Sequence, residues 1–113
     1  MKPCSILAAA TLGGALIAAA PVRAEDGPTI TLTVKDHRFD QTQPKAVANK
    51  PFTIVVKNLD QTAIEFESKT LRVEKVIVGG AEASFKIRAL PPGRYKFEDE
   101  FHDKTAKGEL VAE

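Results

Sequence analysis

The alternation of hydroxyl and aliphatic side chains is the feature that most constrains how this chain can fold. Residues 29–34 read Thr-Ile-Thr-Leu-Thr-Val, a strict period of two that is typical of a half-buried β-strand. Residues 52–56 are rich in β-branched side chains, and residues 83–88 and 95–98 alternate in the same manner. No stretch shows a convincing helical repeat. The sequence therefore predicts an all-β protein.

Short turn-forming sequences separate the predicted strands, which also include residues 63–67, 72–78 and 109–111. The turns are Asn58-Leu59-Asp60, Gly79-Gly80 and Pro91-Pro92-Gly93. About seven or eight short strands, spaced roughly ten residues apart, are typical of a sandwich or barrel, and Greek-key connections are expected. Residues 25–113 contain no linker, internal repeat or low-complexity tract. We therefore expect a single domain there.

The first 24 residues have the composition of a secretory signal peptide. Lys2 is followed by an apolar run over residues 6–20, and small residues precede a cleavage site after Ala24. The apolar run is shorter than the roughly 20 residues that a transmembrane helix requires. We therefore expect residues 1–24 to be removed. Residues 25–113 would remain as a periplasmic protein that is not embedded in the membrane.

Loss of residues 1–24 would also remove every sulfur atom. Cys4 is the only cysteine and Met1 is the only methionine. The exported domain would therefore be stabilised by core packing, without a disulfide. It would carry 14 basic and 15 acidic residues. A net charge near −1 argues against a nucleic-acid partner, which would require a basic face.

Several segments resemble the cupredoxin family, and the resemblance covers nearly all of residues 25–113. The Asn58-x-Asp60 loop resembles the one that leads to the first copper histidine. The Pro-Gly-x-Tyr sequence ending at Tyr95 resembles the strand that leads to the copper cysteine. Residues 107–111 resemble the last strand. The resemblance implies a cupredoxin-like Greek-key β-sandwich.

The copper ligands of that family are largely missing. Counting four residues on from Tyr95 places Asp99 at the cysteine position, and the region of the first histidine reads Ile64-Glu65-Phe66-Glu67. Of the usual two histidines, one cysteine and one methionine, His102 remains. A blue copper site depends on a cysteine thiolate. Electron transfer through a type 1 copper centre is therefore excluded.

A narrower resemblance is to the cupredoxin-like proteins and domains of bacterial periplasmic ferrous-iron uptake. One relative of this kind is a component of four-part transporters with a permease and a polyferredoxin, and another precedes a peptidase-like domain. The resemblance implies a metal-binding accessory protein of iron uptake, which delivers iron to a membrane permease or assists its oxidation. Its partner would be an iron permease or another periplasmic component of iron uptake. It rests on Asp36-His37-Arg38-Phe39, Glu65-Phe66-Glu67-Ser68, Leu71-Arg72-Val73-Glu74-Lys75, Phe97-Glu98-Asp99-Glu100-Phe101-His102 and Thr105-Ala106-Lys107-Gly108.

Glu65 and Glu67 are the centre of the candidate metal site. They are two residues apart on a predicted strand, so both carboxylates face the same way while Phe66 faces the core. Two like charges on one face repel each other unless a cation lies between them. The resemblance implies that the acidic loop at residues 98–103 packs beside them. The candidate ligands, in decreasing order of preference, are Glu65, Glu67 and Asp99, then Glu74 and His102, and last His37.

The donor set restricts the metal without identifying it. Several carboxylates with one imidazole suit iron or manganese, although copper(II) binds most nitrogen and oxygen sites more tightly. We therefore expect iron, copper or both. His37 has three open roles: a structural hydrogen-bonding residue, an extra ligand or part of a second site.

Two alternatives to an iron-binding protein remain open. One is a copper-binding protein with a non-blue, type 2 site. The other is a metal-free docking module, with the acidic loop as a docking patch and the glutamates on a solvated face. In that second case the glutamates would pair with Lys57, Lys69 or Lys75.

Enzymatic activity is not indicated by the sequence. Ser68 and Ser84 lack the context of a nucleophile, and there is no glycine-rich phosphate loop. Participation in ferrous-iron oxidation stays open. It would require a second redox metal or a partner, because carboxylates and imidazole do not change valence.

Overall fold

The computed structural model describes residues 27–113, so the expected signal peptide at residues 1–24 lies outside the described part of the chain. The described residues form nine strands and one short 3₁₀ helix. These are β1 (Thr29–Lys35), β2 (Arg38–Phe39), β3 (Lys45–Ala46), β4 (Phe52–Asn58), β5 (Ile64–Ser68), β6 (Val73–Ile77), β7 (Glu82–Ile87), β8 (Gly93–Asp99), the 3₁₀ helix (Glu100–His102) and β9 (Lys107–Ala112).

The strands form two sheets. One has the order β2-β1-β4-β7 and the other the order β3-β9-β8-β5-β6. The pairs β1–β4 and β3–β9 are parallel, and the remaining pairs are antiparallel. The predicted all-β sandwich in a single domain is confirmed. Within residues 27–113, no helix has the length and apolar character needed to cross a membrane.

The core lies between the inner faces of the two sheets, where the period-two pattern places it. Leu32 and Val34 of β1 are completely buried, whereas the threonines between and before them are partly or fully exposed. Phe66 of β5 is also completely buried, as the alternation with its flanking glutamates predicts. Its ring packs against Phe39 and Phe97, with centroid separations of 6.1 and 5.9 Å. This aromatic group lies directly beneath the face that carries Glu65 and Glu67.

The acidic segment at residues 98–103 is more regular than a loop. Strand β8 continues to Asp99, and the next three residues form the 3₁₀ helix. The Asp99 side chain caps this helix by accepting a hydrogen bond from the Phe101 backbone N–H. The helix packs against β5. It thereby brings the acidic segment to the strand that carries the paired glutamates.

Candidate metal centre

Three glutamate side chains converge on the outer face of the five-stranded sheet. Glu65 and Glu67 project from β5, and Glu100 begins the 3₁₀ helix. Each offers one carboxylate oxygen, and the three oxygens all lie within 4.8 Å of one another. Among residues 27–113 this is the one group of three or more acidic, histidine or cysteine side chains with such spacing. We call it the carboxylate cluster.

Hydrogen bonding and mutual repulsion between carboxyl groups shape the electrostatics of the carboxylate cluster. The pKa of Glu67 is raised above its ordinary value by its contact with Glu100, by partial burial and by the negative charge of Glu100; the attraction of Lys69 offsets this only in part. The pKa of Glu100 is also raised, chiefly by its hydrogen bond with Glu65. Burial and the negative charges of Glu65 and Glu74 add to the increase, and the hydrogen bond with Glu67 opposes it. A bound cation would relieve this repulsion.

Further carboxylates extend the negative surface across three strands. In the strand register Glu67 lies opposite Glu74 of β6 on one side and opposite Glu98 of β8 on the other. Directly opposed residues of antiparallel strands share one face of the sheet. Glu74, named as a candidate ligand from the sequence, therefore lies beside the carboxylate cluster without belonging to it.

An open groove gives access to this face. It has a volume of about 700 Å³ and is lined by Glu67 and Glu98 together with Lys69, Lys96 and Lys107. Its charge is therefore mixed. Glu67 is reachable from solvent by a hydrated ion.

Asp99, another candidate ligand, lies behind the cluster and is completely buried. Its Oδ1 accepts hydrogen bonds from the backbone N–H groups of Glu65 and Phe101, both at 3.0 Å. Its Oδ2 lies 2.6 Å from Nδ1 of His102. Both carboxylate oxygens are thus engaged within the protein. Asp99 ties β5 to the 3₁₀ helix, and so it positions Glu65 and Glu100 relative to each other.

The two histidines form a separate pair. The rings of His37 and His102 stack with centroids 3.7 Å apart and an interplanar angle of 13°. His37 lies in a left-handed turn with φ of 57°, and its backbone N–H donates to Asp60 Oδ2 at 3.0 Å. Its carbonyl oxygen accepts from the Thr105 hydroxyl at 2.7 Å. From the sequence, His37 is the last-ranked candidate ligand and its role stays open; the structure places its ring against His102.

Asp60 holds this turn in place. Besides His37, the backbone N–H of Asp36 donates to its carboxylate at 2.7 Å, and Asp36 also has a positive φ of 52°. Burial alone would raise the pKa of Asp60. The hydrogen bonds from His37 and Asp36, with the charges of His37 and His102, lower it below its ordinary value. The Asn58-x-Asp60 loop therefore serves to position His37.

Glu100 is the member of the cluster that the ranked ligand set omitted. Its place in the acidic segment was visible in the sequence. Its direction was not, because that depends on the turn of the 3₁₀ helix after Asp99. In a helix with three residues per turn, neighbouring side chains project about 120° apart. Glu100 could have been included by treating every acidic residue just after the end of strand β8 as a candidate ligand alongside the glutamates of β5.

The residues present do not fit a blue copper centre. Residues 27–113 contain neither cysteine nor methionine. At the position expected for the thiolate, Asp99 is buried and bonded to His102. A type 1 site needs a thiolate among its ligands. Any metal held by this part of the chain is bound through oxygen and imidazole nitrogen.

The arrangement of the two sheets defines the class of protein as a β-sandwich of the cupredoxin type. The chain belongs to the cupredoxin-like domain family, whose sequence model matches residues 6–112.

Solved structures share this fold at low sequence identity. Auracyanin A, a "blue" copper protein from Chloroflexus aurantiacus, superposes with a TM-score of 0.64 at 16% identity, covering 77% of this chain and 100% of that chain. The metal-binding domain of the Cu(I)-exporting P-type ATPase from Streptococcus pneumoniae D39 gives a TM-score of 0.64 at 15% identity, covering 78% and 88%. These likenesses establish the fold alone.

In amino-acid sequence, this chain is similar to an uncharacterized protein of Rickettsia prowazekii (strain Madrid E). It is 29% identical over 82 residues, which are 73% of this chain and 66% of that protein. The match therefore spans slightly less than two thirds of the relative's length.

Proposed function

We propose that this protein is a periplasmic metal-binding accessory of iron uptake, which holds iron on the carboxylate cluster and passes it to a membrane permease. The observation that carries the proposal is the convergence of Glu65, Glu67 and Glu100 within 4.8 Å on an accessible face. The raised pKa values of Glu67 and Glu100 express the same crowding. Such crowding costs free energy, which a proton shared between two carboxyl groups or a bound cation would relieve.

The chemistry of the cluster favours a hard ion. Carboxylate oxygens suit manganese and iron better than they suit copper(I), which prefers sulfur. Three carboxylates without a thiolate also leave coordination positions for water. A site of this kind releases its ion more readily than a closed cage does, as delivery to a permease requires.

Proteins of the same fold that bind a metal support a metal-binding role for this chain. Auracyanin A is a copper protein, and the pneumococcal domain contains Cu(I). In this chain Asp99 occupies the thiolate position, and the half-buried carboxylates of Glu65 and Glu67 lie on the adjacent strand β5. We infer that the fold retains metal binding here and that the donor set has changed from sulfur to oxygen.

Copper binding through a non-blue site is the second candidate function. It is favoured by one observation, the stacked pair of His37 and His102. Copper(II) binds imidazole strongly. Copper as the protein's main cargo would require this pair to bind metal in preference to the carboxylate cluster.

The experiment is a metal titration of the double variant Glu65→Gln with Glu67→Gln. Calorimetry with Mn²⁺, and with Fe²⁺ under anaerobic conditions, should show binding at least tenfold weaker than in the wild type, about 1.4 kcal/mol. Thermal melts without metal should show unchanged or slightly raised stability, because the repulsion between the carboxylates is removed.

The matched control removes two exposed glutamates elsewhere, Glu82→Gln with Glu113→Gln. This variant has the same net charge and should bind metal as the wild type does. If the two double variants bind Mn²⁺ equally well, the carboxylate cluster is not the site. If the wild type binds neither ion, the metal-free docking alternative is favoured.

A further inference from the structure

The open groove beside the carboxylate cluster shares Glu67 with it. Strands β5 and β8 are paired over two residues each, up to Glu67 and Glu98, whereas β8 and β9 are paired along six residues. Beyond Glu67 the Ser68 hydroxyl donates to the Lys96 carbonyl oxygen at 2.6 Å and holds the two strands together. The groove is therefore built on strands, and its volume of about 700 Å³ is in the range of small-molecule sites.

Charged side chains of both signs line this groove. The three acidic residues are Glu67, Glu98 and Glu109, and the three basic residues are Lys69, Lys96 and Lys107. The lysines are all exposed, and so are the neighbouring Thr42 and Gln43, whose side chains carry further hydrogen-bond donors. Among residues 27–113, Lys96 and Lys107 make no ion pair. Their ammonium groups are therefore available to a ligand.

Two of the three glutamates are compensated from outside the groove. Glu109 accepts a hydrogen bond from the Arg94 guanidinium at 2.8 Å. Glu67 belongs to the carboxylate cluster, where the cation of the proposed function would neutralise its charge, and this step rests on that proposal. Glu98 then faces three lysines, and three positive charges against one negative charge leave the groove with a net charge of +2. A groove in this state attracts an anion with more than one negative charge.

Glu67 couples the groove electrostatically to the carboxylate cluster. The charge of Lys69 acts on it, since that charge opposes the increase in the pKa of Glu67. With the cluster empty, the charged carboxylate of Glu67 repels an anion in the groove, and a bound cation removes this repulsion. Each ligand therefore raises the affinity of the other, by the same factor.

We propose that the groove binds a small multivalent carboxylate, and that this anion and the cation on the carboxylate cluster favour each other's binding. Carboxylate groups of the ligand accept charge-assisted hydrogen bonds from the ammonium groups of Lys69, Lys96 and Lys107. The anion arrives either free or as the chelator of the delivered ion, and both sources present the same carboxylate groups.

The first test measures anion binding to the metal-free full chain. The probe is tricarballylate, a tricarboxylate without the hydroxyl group that makes citrate a strong metal chelator. Calorimetry at low ionic strength should show binding to the wild type, about tenfold weaker binding to Lys69→Gln with Lys96→Gln, and about fivefold tighter binding to Glu67→Gln. The control, Lys35→Gln with Lys50→Gln, removes two exposed lysines outside the groove and should bind the anion as the wild type does.

The second test adds Mn²⁺ and identifies the source of the anion. Tricarballylate should bind the Mn²⁺-loaded protein more tightly than the metal-free protein, and the Mn²⁺ affinity should rise by the same factor when tricarballylate is present. If citrate binds together with Mn²⁺ while tricarballylate does not bind, and the Lys69 and Lys96 double variant loses this binding, the anion is the chelator of the ion.

The outcomes distinguish this proposal from the proposed function. A wild type that binds Mn²⁺ but neither anion would overturn the anion site alone, and so would equal anion binding by the two lysine double variants. Equal tricarballylate affinity with and without Mn²⁺ would overturn the coupling. Anion binding without any Mn²⁺ binding would contradict the cation site and leave the groove as an anion site.

Discussion

The buried carboxylate of Asp99 connects the two elements that form the carboxylate cluster. It accepts a hydrogen bond from the backbone of β5 at Glu65 and another from the 3₁₀ helix at Phe101. It also holds the His102 ring through Oδ2. Because the site is buried, each of these hydrogen bonds satisfies a polar group that would otherwise lack a partner. The residue at the expected thiolate position therefore acts in the structure as a positioning residue.

Replacement of Asp99 should show this role directly. Asp99→Ala leaves two backbone N–H groups without their acceptor, and we expect a loss of stability on the order of 3 kcal/mol. Asp99→Asn keeps one carbonyl oxygen for those donors and should cost less than about 1.5 kcal/mol. Chemical denaturation of both variants measures the difference. Asp103→Ala, an exposed change in the same segment, is the control and should be nearly neutral. Equal effects of alanine and asparagine at position 99 would contradict this role.

At the scale of elements, the outer face of β5 and the start of the 3₁₀ helix form one acidic surface. Glu65 and Glu67 share a face because strand side chains alternate, and Glu100 joins them because the chain turns after Asp99. The raised pKa values of Glu67 and Glu100 are the consequence of bringing these elements together.

This electrostatic conflict predicts a particular pH dependence. The pKa of Glu67 is raised in the folded protein, so its charged form destabilises the fold, and stability is regained as the pH falls through the raised pKa. Metal-free Glu67→Gln should therefore be more stable than the wild type near pH 7. The difference should shrink as the pH falls towards about 4.5, the ordinary pKa of glutamate.

Thermal melts of the two proteins across this pH range provide the measurement. The pKa of Asp60 is lowered in the folded protein, so its charged form stabilises the fold, and this contribution is lost as the pH falls. Its effect is common to both proteins and cancels in the difference. A difference that grows towards acid pH would be inconsistent with repulsion at Glu67.

The predictability of these elements from sequence depended on their length. The six-residue alternation at 29–34 identified β1, and the pattern of Glu65, Phe66 and Glu67 gave the correct inner and outer faces of β5. Strands β2 and β3 have two residues each and no period to detect. The contacts of Asp99 with Glu65, of His37 with Asp60 and of Glu100 with β5 depend on long-range packing, which local periodicity does not contain.

At the scale of the whole molecule, the core is complete without a ligand. Large aliphatic and aromatic side chains from both sheets are fully buried, among them Leu32, Ile54, Phe66 and Leu110. In the described residues, every buried side-chain nitrogen or oxygen has a hydrogen-bond partner. Metal therefore has no structural gap to fill in the interior.

We accordingly expect the metal-free protein to be folded. Circular dichroism in the presence of a chelator should show β-structure and a single cooperative thermal transition, because burial of apolar surface is the main source of stability. Saturating Mn²⁺ should raise the midpoint, since it binds the folded state. A disordered metal-free chain would mean that metal is structural.

The central claim is that the carboxylate cluster on the outer face of the sandwich is a cation site. The most direct measurement is anomalous X-ray diffraction from crystals soaked in Mn²⁺, a redox-stable substitute for Fe²⁺. The account predicts an anomalous peak within coordination distance, about 2.2 Å, of oxygens from Glu65, Glu67 and Glu100. A saturating soak with no peak there, or with the strongest peak at a site that none of these residues touches, would contradict it.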